Sequence, residues 1–328
     1  MLNKINSIKI IQLIIAIGLI SFLFTKIDIN KIGLLIDHAS SGYLYLAILL
    51  LICQLIVAAY RWLLVMRING YSLPLWQCIG SFATSSLINL TLPVAIGGDL
   101  MRIWVASRNN VPSSVATGTV LSDRIINTAG LSAIIISILC LCTLFFFKTL
   151  YAIKVNIFAL TFASILISAF AILLLIDPII VRFKIRSPQA LTPIIHLSRM
   201  NRKTLHRSSS LINLLSTILL GHCMLLGAMI LLALGLHMSL SFPQALIGFS
   251  IALLFSAVPI TPGGWGVRES TMVIALGQFQ VSAESALGVS ILYGISITLA
   301  SVPASILWLI YKYPANKKMG PSMNGMSE

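Results

Sequence analysis

Long apolar stretches separated by short polar ones dominate the chain. Residues 8–24, 43–66, 113–147, 156–176, 211–234 and 282–311 are each apolar enough to predict a helix crossing a membrane. A hydrocarbon core about 30 Å thick needs about 20 helical residues, and these runs meet or approach that length. Two further apolar runs, 74–92 and 243–258, stop at Pro93 and Pro259. The second leads into PITPGGWGVRE, residues 259–269, and a further apolar run follows it.

That segment cannot continue a lipid-facing helix. Proline lacks a donor N–H, and glycine favours an open backbone. Broken backbone at membrane depth must be buried in protein or line a wet cavity, because each unpaired group in hydrocarbon costs several kcal/mol. Arg268 and Glu269 close the segment with two charges that lipid will not solvate. Pro259, Pro262, Gly263, Gly264 and Gly266 are therefore expected to form a re-entrant turn inside protein.

A second copy lies upstream. Pro93, Gly97, Gly98 and Arg102 match Pro259, Gly263, Gly264 and Arg268 in the shared pattern P-x3-G-G-x3-R. The likeness resumes after a short insertion, with VPSSVATG (111–118) against VSAESALG (281–288), and Gly80 pairs with Gly248 before the core. Interrupted hydrophobic segments at matching positions of two halves point to a transporter's binding site.

Charge placement constrains the number of crossings, and Asp99, Arg102 and Arg108 leave little apolar length for a second full crossing between 93 and 112. Residues 178–210 gather Arg182, Lys184, Arg186, Arg199, Arg202, Lys203 and Arg207 without an acidic partner, and Lys312, Lys317 and Lys318 follow the last span. Both segments belong on the cytoplasmic side under the positive-inside rule. Parity holds if 74–111 and 243–281 enter partway and return. The expected architecture is all-α and polytopic, an inverted repeat of three crossings plus one re-entrant hairpin each. Residues 1–150 form the first repeat, residues 151–313 the second, and 314–328 a cytoplasmic tail. Residues 25–42 read as a charge-balanced loop, and Arg61 and Arg67 as the cytoplasmic end of the second span.

Composition agrees. The chain is 58% hydrophobic and 9% charged over 328 residues, outside the range of soluble globular domains. The formal charge of +14 suits anionic lipid rather than nucleic acid, because the basic residues sit between apolar spans. The apolar span at the N-terminus lacks a small-x-small cleavage site and reads as an uncleaved helix. The five cysteines fall inside apolar runs and fit neither a disulfide framework nor a zinc site. No cofactor or metal motif is present, and localisation is expected in a bacterial inner membrane with both termini cytoplasmic.

PVAIGGDLMRIW, LSDRIINTAGL (121–131) and PITPGGWGVRES resemble the membrane region of lysylphosphatidylglycerol synthases and its stand-alone relatives, the flippase-like domain proteins. The likeness covers roughly residues 40–312. It implies a lipid-translocating membrane domain. In the synthases an aminoacyl-transferase domain follows; this sequence ends about 17 residues past its last span, so synthase activity is not expected. Residue by residue, the resemblance marks Gly97, Gly98, Asp99 and Arg102, then Asp123 and Arg124, then Pro262, Gly263, Gly264, Gly266, Arg268 and Glu269. Tyr293-Gly294 departs from the pattern, which has a basic residue after the tyrosine.

Asp99, Arg102, Asp123, Arg124, Arg268 and Glu269 would together cost on the order of 15–20 kcal/mol if left in lipid, so they must pair or hydrate. Neighbours in a helix point apart, so Asp123–Arg124 and Arg268–Glu269 are not expected to be their own ion pairs. Asp123 with Arg102 or Arg268 is the expected cross-pair. Arg102, Arg124 and Arg268 are the candidate contacts for an anionic lipid headgroup, since guanidinium forks match phosphate. Asp99, Asp123 and Glu269 are candidate ion-pair partners or proton-coupling groups. The alternative is a buried network that only holds the hairpins together. His222 reads as a packing residue or a proton relay, Trp265 as a wedge or packing group, and 182–207 as a topological signal or a recruiting surface. The leading function is a non-enzymatic lipid transporter. Two others stay open: a subunit docking a glycosyltransferase or lipid-modifying enzyme, and a membrane-embedded lipid-modifying enzyme using Asp99, Asp123 and Glu269.

Overall fold

A computed structural model describes residues 29–91, 97–145, 150–183, 191–206, 208–257, 261 and 264–312. The described residues are helical: α1 (Ile29–Asp37), α2 (Ser41–Ile68), α3 (Leu75–Thr91), α4 (Gly97–Arg108), α5 (Ser113–Phe145) and α6 (Leu150–Arg182) come first. They are followed by α7 (Thr192–His206), α8 (Ser208–Gly235), α9 (Phe242–Ser256), α10 (Val267–Gly277) and α11 (Ala283–Lys312). Five of these, α2, α5, α6, α8 and α11, are long and apolar enough to span a membrane. They correspond to the second to sixth predicted spans. The first predicted span (8–24), Pro93, Pro259, Pro262, Gly263 and the tail 314–328 lie outside the described residues.

Segments 74–111 and 243–281 each contain two short helices. α3 and α4 have 17 and 12 residues, α9 and α10 have 15 and 11. At 1.5 Å per residue each reaches about 16–26 Å, short of a hydrocarbon core. The helices within each pair pack on one another. The order short helix, long helix, two half-length helices, long helix occurs in α1–α5 and again in α7–α11.

Local chemistry sets the ends. α2 finishes with Gly70 at φ 92°, the Tyr71 N–H donating to the Met66 carbonyl and the Gly70 N–H to that of Arg67. α8 finishes the same way, with His237 at φ 55° and Met238 bonding Ala233. Both are left-handed terminations that satisfy orphan carbonyls. α9 opens on Ser241, whose N–H donates to the Gln244 side chain at 2.9 Å. The start of α4 is capped from outside: the Gly98 N–H donates to Asn89 Oδ1 at 2.9 Å, and Ser85 Oγ donates to the Gly98 carbonyl at 2.7 Å. A Cβ at Gly98 would overlap the Ser85 carbonyl and the Asn89 amide, so only glycine permits this approach.

α2 and α8 pack along each other at the centre. α11 packs on α3, and α5 packs on α9. Leu51, Ile135, Met229, Phe249 and Leu276 belong to the main core, and Trp62, Leu63 and Met66 to a second one beside α3 and α4. α6 is the most peripheral of the five long helices, with Phe158, Ile165 and Ile172 exposed as a lipid-facing surface would require.

Two expectations need correction, for residues 25–42 and for Arg61. Residues 25–42 contain α1, because Ile29, Ile32, Leu35 and Ile36 recur at helical spacing despite the charges around them. Most of the basic segment 178–210 is also helical. α6 continues through Pro178 to Arg182, and α7 turns Ile195, Ser198, Asn201 and Thr204 inward while Arg199 and Lys203 stay exposed. Arg61 is not at the end of its span: it is 5% exposed, seven residues inside the end of α2.

Candidate functional site

Four of the six singled-out charges meet in one cluster, and Arg61 joins them. Asp123 on α5 sits between two guanidiniums. Arg61 Nε donates to its Oδ1 at 2.8 Å, and Arg102 Nη1 donates to its Oδ2 at 3.0 Å. Arg61 also reaches Asn127 Oδ1, one turn further along α5, at 2.6 Å. Arg102 extends its other nitrogen to Asp99 Oδ1 at 2.6 Å, and the second Asp99 oxygen accepts from Arg124 Nη1. The result is an alternating chain, Arg61–Asp123–Arg102–Asp99–Arg124, tying α2, α4 and α5 together. Arg102 is further held under rings, 4.7 Å from the Phe82 centroid and 5.6 Å from that of Trp62. The expected Asp123–Arg102 pair is present.

Three guanidiniums here face two carboxylates. Buried charges are tolerated only when paired, and this chain pairs all but one equivalent of positive charge. Arg61, Asp99, Arg102 and Asp123 side chains are at most 7% exposed, whereas that of Arg124 is 32% exposed. Arg124 and Asp99 open onto a groove of about 490 Å³ between α5 and α6, lined otherwise by Thr128 and by apolar groups such as Leu121, Ile125, Leu166 and Phe170. The excess positive charge thus ends at the one arginine of the chain that reaches the groove.

Arg268 and Glu269 form a separate cluster at the start of α10. Arg268 donates to Glu269 Oε1 through Nη2 at 2.7 Å and through Nε at 3.1 Å. This corrects the expectation that the two would not pair. They occupy the first turn of α10, where Glu269 folds back to accept the Gly266 N–H at 2.6 Å, so its carboxylate lies over the helix end within reach of its neighbour. Gly266 holds φ 80° there, a conformation that suits glycine. Ser290 on α11 donates to Glu269 Oε1 at 3.0 Å and accepts from Arg268 Nε at 2.9 Å. The Arg268 guanidinium stacks over Trp265 and Tyr293, with 5.1 Å and 5.4 Å to the centroids. Arg268 and Glu269 balance each other and are 4% and 3% exposed.

The sequence correspondence gives the contrast between the clusters a pattern. The first motif pairs Asp99 with Trp265 and Arg102 with Arg268; continuing the 111/281 match pairs Asp123 with Tyr293 and Arg124 with Gly294. Two corresponding arginines are therefore flanked from corresponding positions, by carboxylates in one half and by aromatic rings in the other. At Gly294, where the family pattern has a basic residue, the Arg268 guanidinium approaches closely, and a Cβ there would lie 3.0 Å from Arg268 Nη2. Trp265 is thus a packing partner of Arg268.

Gly97 and Gly98 begin α4, and Gly264 and Gly266 precede α10, so the described glycines of both motifs sit at half-helix starts. His222 is buried with Nδ1 2.8 Å from the Ile218 carbonyl, a packing arrangement. Arg61, Asn127, Ser290 and Tyr293 were not among the expected site residues; Asn127 lies inside the 121–131 motif and Tyr293 at the departure from the family pattern, and Arg61's depth within its span was a further signal.

A polytopic all-helical membrane protein, with its charges drawn inside the bundle beside paired half-length helices, is the class that fold and site define. The chain belongs to the family of the lysylphosphatidylglycerol synthase TM region, which it matches over residues 9–304. It is also similar to a UPF0104 membrane protein of Methanocaldococcus jannaschii, 25% identical over 92% of this chain and 96% of that relative.

Proposed function

We propose that the protein moves a lipid, or the headgroup of a lipid-linked intermediate, between membrane leaflets, with Arg124 as the headgroup contact. The observation that carries this reading is Arg124 itself, the partly exposed end of a buried charge chain with one surplus positive charge, facing an apolar groove. Apolar walls suit acyl chains, and a guanidinium fork suits a phosphate. Arg102 and Arg268 are held by carboxylates in this conformation and act as positioning residues for the two half-helices. Of the three carboxylates, Asp99 is the one within reach of a groove ligand, because it is shared between Arg102 and Arg124. An anion on Arg124 competes with Asp99, and releasing that carboxylate loosens α4 from α5. Asp123 and Glu269 keep their guanidiniums inside.

Residues 1–150 and 151–313 act as two inverted halves, with 74–111 and 243–281 as hairpins entering from opposite faces. The repeated element order supports this, as do positive φ values at Gly70 and His237 after α2 and α8 and at Asn110 and Gln280 after α4 and α10. Broken helices at the interface of inverted repeats are a recurrent transporter plan. The basic end of α6 and α7 then face the cytoplasm of a bacterial inner membrane.

The test is reconstitution in vesicles carrying NBD-labelled phosphatidylglycerol in both leaflets, with external dithionite. Wild type should expose inner-leaflet label to bleaching, and Arg124→Ala should behave as protein-free vesicles. Wild-type and Arg124→Ala vesicles bleaching to the same extent would reject the assignment of Arg124.

A further inference from the structure

We propose a second lipid site, separate from the groove, where the end of α6 meets α7, and assign it to the headgroup of an anionic phospholipid. Arg182 ends α6, and Arg199 and Arg202 project from α7. Among the described residues, the carboxylate that meets them is Asp177. It accepts from Arg199 Nε at 2.7 Å and lies 3.8 Å from Arg202 Nη1. Asp177 is 7% exposed, whereas the Arg199 and Arg202 side chains are 62% and 39% exposed. Its role is to hold α7 against α6 and set the two guanidiniums at one spot. A single buried carboxylate leaves the three arginines with surplus positive charge, and Lys203 is exposed beside them.

The neighbouring surface selects the ligand. A groove of about 560 Å³ has Asp177, Arg182 and Arg202 in its lining together with Leu175, Ile179 and Phe183. These three apolar side chains are 53%, 44% and 71% exposed and continue the lipid-facing surface of α6. A free anion would use the arginines and leave that apolar wall bare. A phospholipid uses both, with its phosphate on Arg182 and Arg202 and its chains along Leu175 and Ile179. Basic residues at the membrane surface attract anionic lipid in this way, and removing each one weakens binding about fivefold. The site stands whether or not the groove transports, and its test uses no transport readout.

The test uses the full chain with Arg124→Ala, which removes the groove's guanidinium, purified in detergent and titrated with short-chain phosphatidylglycerol or phosphatidylcholine while thermal unfolding is followed. Phosphatidylglycerol should raise the midpoint more than phosphatidylcholine does. Adding Arg182→Ala and Arg202→Ala should leave the midpoint in phosphatidylcholine unchanged and weaken the phosphatidylglycerol response about 25-fold. Arg182→Lys with Arg202→Lys should retain most of it. Equal responses to the two lipids, or a phosphatidylglycerol response that survives both alanines, would overturn the site. An inorganic phosphate titration giving the full shift would overturn its assignment to lipid.

Discussion

Replacing Asp123 with asparagine separates the interior of the charge chain from its exposed end. The Asp123 side chain is 2% exposed and is the shared partner of Arg61 and Arg102. Asparagine keeps the shape and one acceptor, which still serves Arg61 Nε. Its amide nitrogen then faces Arg102 Nη1, which in the wild type donates across 3.0 Å, so a donor meets a donor. Three guanidiniums are left with one carboxylate. Removing one partner of a buried pair costs about 3–5 kcal/mol, because the remaining charge stays buried without compensation. That is about two to nearly four decades in the unfolding constant. Arg124→Ala offers the comparison. Its side chain is 32% exposed, and Asp99 keeps Arg102, so the loss should stay below about 1 kcal/mol. The assay is reversible unfolding of purified protein by titrating denaturing detergent into mild micelles, followed by far-UV circular dichroism. If Asp123→Asn fell within about 1 kcal/mol of wild type, the chain would be as weak as a surface ion pair and the reasoning would fail.

Two further outcomes follow from packing and use the same titration. Gly98→Ala places a methyl against the Ser85 carbonyl and the Asn89 amide, forcing α3 and α4 apart, and should cost about 1–3 kcal/mol; a neutral result would show that the half-helices are not in close contact there. Arg268→Lys keeps the charge but gives up the fork shared by Glu269 and Ser290, and should cost about 1.5–3 kcal/mol; wild-type stability would show that a point charge suffices at this position.

Much of the architecture was legible because membrane helices announce themselves by length and apolarity. The five described spans follow from that alone, and the paired half-length helices follow from proline and glycine interrupting two apolar runs. The charged loop expected at 25–42 misled, because polar composition there masks a helical period; in the basic segment the helix α7 went unassigned, its buried face being itself partly polar: Ser198, Asn201 and Thr204. Site membership was legible for the residues of the motifs. Of the pairings, Asp123 with Arg102 was legible as one of two expected cross-pairs; the rest were not, since they depend on how α2 lies against α5 and on Glu269 folding back over Gly266. Arg61 was hidden for a specific reason: an arginine near a span's end normally marks the interface, and only tertiary packing turns this one inward toward Asp123.

The central claim is that the groove beside Arg124 holds a lipid headgroup, and site-directed photocrosslinking in native membranes addresses it most directly. A photoreactive amino acid at position 121 probes the groove wall, where Leu121 is 38% exposed. One at position 172 is the control, since Ile172 is 61% exposed on the peripheral helix α6. Irradiation and mass spectrometry of the adducts should find a phosphate-bearing anionic lipid enriched at 121 over 172, with the enrichment lost when Arg124→Ala is added. The same lipid mixture at both positions, unchanged by Arg124→Ala, would contradict it.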